Sequence, residues 1–380
     1  MKGYVRIVLV ATLLLLSTAL LAALNVTGLW NPNFSWKVVG KTGPSIIAKN
    51  GGNIIFLSKD GAAYELTTTG TLKSLGQTSG ITNVVAPAAY VTAGNNDFLV
   101  YVTAQGTAGN KLVVQKLDEA NLDGVSTGIS SSAYGVVAYQ DTTNPNHINI
   151  YTATMDGNVY QVPFDGNLDP AATKTVNVGG PVKIPPILSK DGNYLYVMTQ
   201  NGKLYKIDTQ TFANPGSPLI TLGGEFTVPM AMDENGYLYA LSSNGVLYKI
   251  DNGSENHAST GLASSDSAGV LIDGDGYIYV FGGGKIFVFS SDSLINRTPG
   301  GYSTGTGQKI TTTPAIVKGT DGITYVIVPS SAGGHSGKIT ILAFNPTAGT
   351  LTVEKEWDIP GSFPISAAVG VAPVGALNDD

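Results

Sequence analysis

Asp191-Gly-Asn-Tyr-Leu-Tyr-Val197, followed by Asn201-Gly-Lys-Leu-Tyr-Lys-Ile-Asp208, is the stretch that decides the fold. A tight turn opens an aromatic-rich run, and a second turn opens another. The same order of residues returns at Asn235-Gly-Tyr-Leu-Tyr-Ala-Leu241 and Asn244-Gly-Val-Leu-Tyr-Lys-Ile-Asp251. Asn-Gly and Asp-Gly pairs between alternating apolar residues signal β-hairpins, and the favoured type I′ turn takes positive φ at both central positions. The pattern predicts hairpins on type I′ turns, repeated along the chain.

Gly52, Gly192, Gly236, Gly276 and Gly322 each precede a strand-like run, and the last four are 44, 40 and 46 residues apart. Runs around 96–102 and 147–151 fill the interval between Gly52 and Gly192. This gives seven units, at about 43–80, 81–130, 131–180, 181–224, 225–262, 263–305 and 306–361. Repeats of this length built from strands alone predict a β-propeller, in which each unit is a small sheet whose faces are buried only by its neighbours.

The fourth unit reads as four strands, at 184–189, 194–199, 203–208 and 219–222. In the middle two, apolar and aromatic side chains fall close together, as in a sheet packed on both faces. The 18 tyrosines fit that setting as core residues whose hydroxyls reach loops or water. The expected architecture is an all-β propeller of seven four-stranded blades over residues 31–380, one domain, preceded by an N-terminal hydrophobic helix. Runs at 33–40 and 363–371 are expected to close or link the ring, because exposed edges must be hidden. Eight blades with one incomplete is the alternative. Pairing of a terminal strand with another subunit is a third arrangement.

Glycine contributes 48 of 380 residues, above the usual share of about 7%, and charged residues only 13% against about 25%. The surface must be finished with Ser, Thr, Asn and Gly. A net charge of −6 without a basic cluster argues against nucleic acid as a partner. The absence of cysteine excludes disulfides and thiolate metal sites. Lys2 and Arg6 precede an apolar stretch, residues 7–24, that directs the rest of the chain outward across a membrane. Residues 1–30 read as a signal peptide or a retained membrane anchor. The chain is therefore expected to be extracytoplasmic: secreted, at the cell surface or periplasmic.

Around Lys203–Asp208 and Val246–Asp251 the units resemble the repeats of quinoprotein-like propellers, which include pyrroloquinoline-quinone dehydrogenases and non-catalytic outer-membrane assembly propellers. The shared pattern is Gly-x-Leu-Tyr-x-Ile-Asp, an outer strand, a glycine turn, a Pro-containing inner strand such as Val182-Lys-Ile-Pro-Pro-Ile187 or Phe226-Thr-Val-Pro-Met230, then Asp/Asn-Gly-x-Leu-Tyr. Family repeats end the outer strand on a tryptophan. This chain offers only Trp357 and Trp36 as counterparts. The dehydrogenases of the family carry a vicinal cysteine pair, a Ca²⁺ site and a catalytic carboxylate. A cysteine-free chain with scattered glutamates does not supply that set, so no cofactor and no catalytic residue is expected.

Other constellations are weak. His147, His257 and His335 lie in different units beside turn residues, and isolated surface histidines are commoner than metal ligands. Asp273-Gly-Asp275-Gly276 opens like a calcium loop but lacks the later Glu, so Asp273 and Asp275 are weak metal candidates that a hairpin turn explains equally well. Sequons at Asn33, Asn252 and Asn296, and at Asn25 close to the apolar stretch, are compatible with glycosylation. The expected function is a non-catalytic scaffold of the cell envelope that holds a protein partner at one mouth of the ring, through a rim patch of apolar or acidic residues. The alternative is a subunit that assembles with copies of itself into a filament or surface layer. A quinone-dependent dehydrogenase is a third, distant reading.

Overall fold

The computed structural model describes residues 46–48, 54–57, 61–66, 72–77, 84, 88–103, 110–117, 125–141, 144–262, 267–310, 313–318, 321–332 and 336–359. They form antiparallel sheets, seven among the described residues, each from one contiguous stretch of chain with its strands in sequence order. Sheet 1 comprises Ile46–Ala48, Ile54–Leu57, Ala62–Leu66 and Leu72–Gln77, and sheet 2 Ala89–Ala93, Asn96–Thr103, Lys111–Lys116 and Val125–Gly128. Sheet 3 is Ala133–Gln140, Ile148–Thr154, Asn158–Phe164 and Lys174–Asn177, and sheet 4 is Ile187–Leu188, Tyr194–Met198, Lys203–Asp208 and Ile220–Thr221. Ala231–Met232, Leu238–Leu241, Val246–Asp251 and Ser254–Ser259 make sheet 5, followed by Ser267–Ile272, Tyr277–Gly282, Lys285–Ser290 and Tyr302–Ser303 in sheet 6. In sheet 7 the first strand comes in two pieces, Gln308–Lys309 and Ala315–Lys318. Both pair with Thr324–Ala332, which continues to Ser336–Asn345 and Thr350–Ile359.

Alternation along the strands docks each sheet on two neighbours. In Tyr194–Met198, Leu195 and Val197 pack with Tyr151 and Val159 of sheet 3. Met198 packs with Leu238 and Ala240 of sheet 5. In Tyr277–Gly282, Ile278 and Val280 meet Tyr239 and Leu241 of sheet 5, while Tyr279 and Phe281 meet Val326 and Val328 of sheet 7. Equivalent clusters join sheets 1 and 2 and sheets 2 and 3, so apolar layers run unbroken from sheet 1 to sheet 7. Such central strands carry no polar face, which is why the sequence reads there as continuous apolar and aromatic runs. Tyr101, Tyr151, Tyr239 and Tyr279 are fully buried in these layers.

The turns differ from the type I′ expectation. Among the described residues only Asn252-Gly253 combines positive φ at both central positions, 42° and 99°, between the paired residues Asp251 and Ser254. In the other described Asp-Gly and Asn-Gly turns the Asp or Asn does not lie there, and usually only the glycine does, as at Gly192 with φ 74°. Its N–H donates to Ser189 O, and Ser189 N–H donates to Tyr194 O. This is a wider turn with glycine in its last position, and the preceding Asp is free to accept the N–H of Asn193. The side-chain acceptor stabilises the wider loop, a contact that alternation of apolar residues does not encode. A Cβ on Gly192 would lie 2.7 Å from the Tyr139 ring of sheet 3, so glycine also permits close docking.

Trp357 lies in the outermost strand of sheet 7, opposite Ile339. The expected N-terminal helix, residues 7–24, and the terminal runs 33–40 and 363–371 fall outside the described residues. No helix of the described residues is long and apolar enough to cross a membrane.

Candidate interaction face

In a four-stranded antiparallel sheet the first-to-second and third-to-fourth connections emerge at one end. Cross-sheet contacts show that these ends adjoin from sheet 2 to sheet 7. Gly94 N–H donates to Pro145 O between sheets 2 and 3 at 2.7 Å. Gln161 Nε2 of sheet 3 donates to Thr209 O of sheet 4 at 2.8 Å. Lys206 Nζ donates to Asn252 Oδ1 at 3.3 Å, and Lys249 Nζ donates to Ser291 O at 2.7 Å. Lys318 of sheet 7 pairs with Asp275 of sheet 6.

Two of these struts come from the repeat motif itself. In Gly-x-Leu-Tyr-Lys-Ile-Asp, Tyr205 and Ile207 face the preceding sheet and Leu204 faces the following one, so Lys206 also projects forward. Its ammonium lies 4.0 Å from the centroid of Tyr194, and that of Lys249 lies 4.1 Å from Tyr237. Each lysine thus sits on an aromatic ring of its own sheet while binding the next sheet's third-to-fourth connection.

The face assembled from these connections is rich in carboxylates. Asp141, Asp191, Asp233, Glu234, Asp273, Asp275 and Asp321 lie in first-to-second connections. Asp165, Asp169 and Asp292 lie in third-to-fourth ones, and Asp208 and Asp251 close their third strands. At the opposite connections the carboxylates among the described residues are Asp156 and Glu225, while Lys183 lies in one of them and Lys203 and Lys285 open third strands. Carboxylates outnumber cations on this face, where Lys190 and Arg297 lie in the same connections and Lys206, Lys249 and Lys318 bridge the sheets, and carboxylates are sparse on the other.

Local hydrogen bonds keep several of these carboxyls ionised. Ser189 Oγ–H and the N–H and side chain of Asn193 hold Asp191 below the usual carboxylate value of 3.8. Thr211 does the same for Asp208 through its N–H and hydroxyl, and Ser293 for Asp292. A second pattern recurs in sheets 5 to 7. Tyr239, Tyr279 and Tyr325 donate their hydroxyls to Asp233, Asp273 and Asp321 at 3.0, 2.8 and 2.8 Å. Burial, followed by the adjacent carboxylate, raises the pKa of each of these hydroxyls.

The metal candidates separate in this geometry. Asp273 Oδ1 accepts the N–H groups of Asp275 and Tyr277, and Oδ2 accepts Tyr279 Oη–H. Asp275 turns instead to Lys318. No group of three or more metal-ligating side chains occurs among the described residues. His147 sits in the first-to-second connection of sheet 3, and exposed His257 sits on the outer strand of sheet 5 beside Glu255, with Nδ1 at 3.0 Å from Oε2. His335 and Asn33 lie outside the described residues. Asn252 is exposed at its turn, and Asn296 is half-buried. The sequence leads to a rim patch of apolar or acidic residues without naming its members, because Asp191, Asp273 and Asp321 read there as turn formers. The signal was available, because the Asp follows the first strand or ends the third at the same phase of successive repeats.

Solved structures share the fold. Sqt1 from Saccharomyces cerevisiae is 13% identical, with a TM-score of 0.62 over 88% of this chain and 88% of its own. The dihydro-heme d1 dehydrogenase NirN, in complex with DHE, is 15% identical, with a TM-score of 0.56 over 88% of this chain and 68% of its own. BamB from Moraxella catarrhalis is 13% identical, with a TM-score of 0.51 over 82% of this chain and 93% of its own. The chain has a β-propeller fold. At these identities the likeness is one of fold alone. No protein-family model and no curated protein matches the chain. With a dehydrogenase among the neighbours, fold alone does not choose between catalysis and binding.

Proposed function

We propose that this protein is a non-catalytic, extracytoplasmic propeller whose carboxylate-bearing face holds a protein partner with a cationic surface. Residues 31–380 form one domain of seven blades, secreted or tethered through residues 1–30. The described sheets already have their strands, so the runs 33–40 and 363–371 are left to close or link the ring. Burial of Ile327 and Ile341, which point away from sheet 6, supports a covered second face on sheet 7. The observation that carries the functional reading is the excess of carboxylates on one face, since a surface dominated by one sign steers and orients an oppositely charged partner. The opposite face, with Lys183, Lys203 and Lys285, favours a second reading: head-to-tail stacking of copies into a filament, a heterologous contact that does not close.

Carbodiimide cross-linking of carboxyls to amines in intact cells tests both. The scaffold reading expects exposed Asp165, Glu234 and Asp251 to be joined to lysines of another protein. Links from these residues to Lys203 or Lys285 of a second copy would transfer the face to self-assembly. Links confined to Asp156 and Glu225 would contradict both.

A further inference from the structure

We propose that Asn252 is an N-glycan acceptor in the folded protein and that Asn296 is not. The proposal rests on the extracytoplasmic reading for its occurrence in the cell, because the glycan donor is encountered outside the cytoplasm. Both asparagines carry the required pattern, Asn252-Gly-Ser254 and Asn296-Arg-Thr298. Their surroundings are opposite.

Asn252 occupies the tip of the type I′ turn between the third and outer strands of sheet 5, and both it and Ser254 are exposed. Its Oδ1 accepts Lys206 Nζ at 3.3 Å, which leaves Nδ2, the atom that takes the sugar, without a protein partner among the described residues. Ser254 begins the edge strand Ser254–Ser259, so an enzyme meets both the amide and the hydroxyl with no strand in front of them. At the second sequon, Asn296 Oδ1 accepts the N–H of Thr298 at 2.9 Å. Thr298 is only 2% exposed, and its Oγ1 accepts Val288 N–H at 2.8 Å. The hydroxyl that the transferase must read is therefore inside sheet 6.

The step balances with an oligosaccharide carried on an isoprenoid phosphate. Nδ2 forms a bond to the anomeric carbon and loses one proton. The anomeric carbon–oxygen bond breaks, and the isoprenoid phosphate departs with the electron pair. The product amide keeps its carbonyl, so the Lys206 contact persists.

The test uses the purified folded chain, an oligosaccharyltransferase that requires only Asn-x-Ser/Thr, and its isoprenoid-linked oligosaccharide, with site-resolved mass spectrometry. One glycan is expected on the peptide containing Asn252, lost in Asn252→Gln and in Ser254→Ala, which leaves the turn residues in place, and kept in Asn296→Gln. A bare Asn252 on the folded chain, when a synthetic peptide spanning 248–258 is modified under the same conditions, would overturn the proposal. So would modification of Asn296 in the folded chain. Expression in a host whose secretory pathway carries such a transferase separates the two premises: a bare Asn252 there, with transfer intact in vitro, counts against export by residues 1–30 and leaves the acceptor standing.

Discussion

A single hydroxyl shows how these turns are held. Tyr279 is fully buried between sheets 6 and 7, yet its hydroxyl meets Asp273 Oδ2 at 2.8 Å while Oδ1 of the same carboxylate fastens two turn amides. Tyr279→Phe keeps the ring and removes that donor. A hydrogen bond to a charged group contributes about 1.5–3 kcal/mol, so denaturant unfolding is expected to show a loss of that size with an unchanged m-value. An unchanged midpoint would contradict the role. Acid provides a second check. The folded pKa values of Asp191, Asp208 and Asp292 lie below the unfolded 3.8. Their stabilisation is whole above that value and is lost as pH falls through the lower folded values. The thermal midpoint should hold between about pH 7 and pH 5 and decline below about pH 4; a midpoint that rises on acidification would refute this. In the sequence Asp273 reads only as a turn former or weak metal ligand. The tyrosine that claims its second oxygen is six residues on, across a register that composition does not reveal.

Strands explain why the architecture was legible and the turn type was not. Successive residues of Tyr194–Met198 belong to different interfaces, Val197 to the layer with sheet 3 and Met198 to the layer with sheet 5. This two-sided burial produced the apolar runs from which a stack of small sheets could be read. The turn between two strands depends instead on where an Asp carboxylate finds an amide, and Asn252-Gly253 and Asp191-Gly192 look alike until the coordinates separate them. The interfaces also make a quantitative expectation. Val197→Ala and Met198→Ala, although adjacent in sequence, should be additive within about 0.5 kcal/mol, each lowering stability by roughly the cost of a core truncation. A coupling energy well above that, measured in a double-mutant cycle by urea unfolding, would mean that the two layers are not independent.

Across the whole molecule, the phase of the repeat turns a scatter of aspartates into one face. Because the Asp follows the first strand or ends the third, and because the sheets stack in one sense, carboxylates gather where Gly94, Thr209, Asn252 and Ser291 adjoin their neighbours. That arithmetic was present in the sequence, but it required the sheets to be stacked before it could be read. The partner's identity was not legible, since an acidic face specifies only a sign of charge. The most direct test is electron microscopy of particles isolated from native envelopes with their partners attached. The expected result is a ring of radial sheets whose contact with the neighbouring molecule lies on the carboxylate-bearing face, around Asp165, Glu234 and Asp251. Rings contacted only through the opposite face, around Asp156 and Glu225, or an open row of sheets in place of a ring, would contradict it.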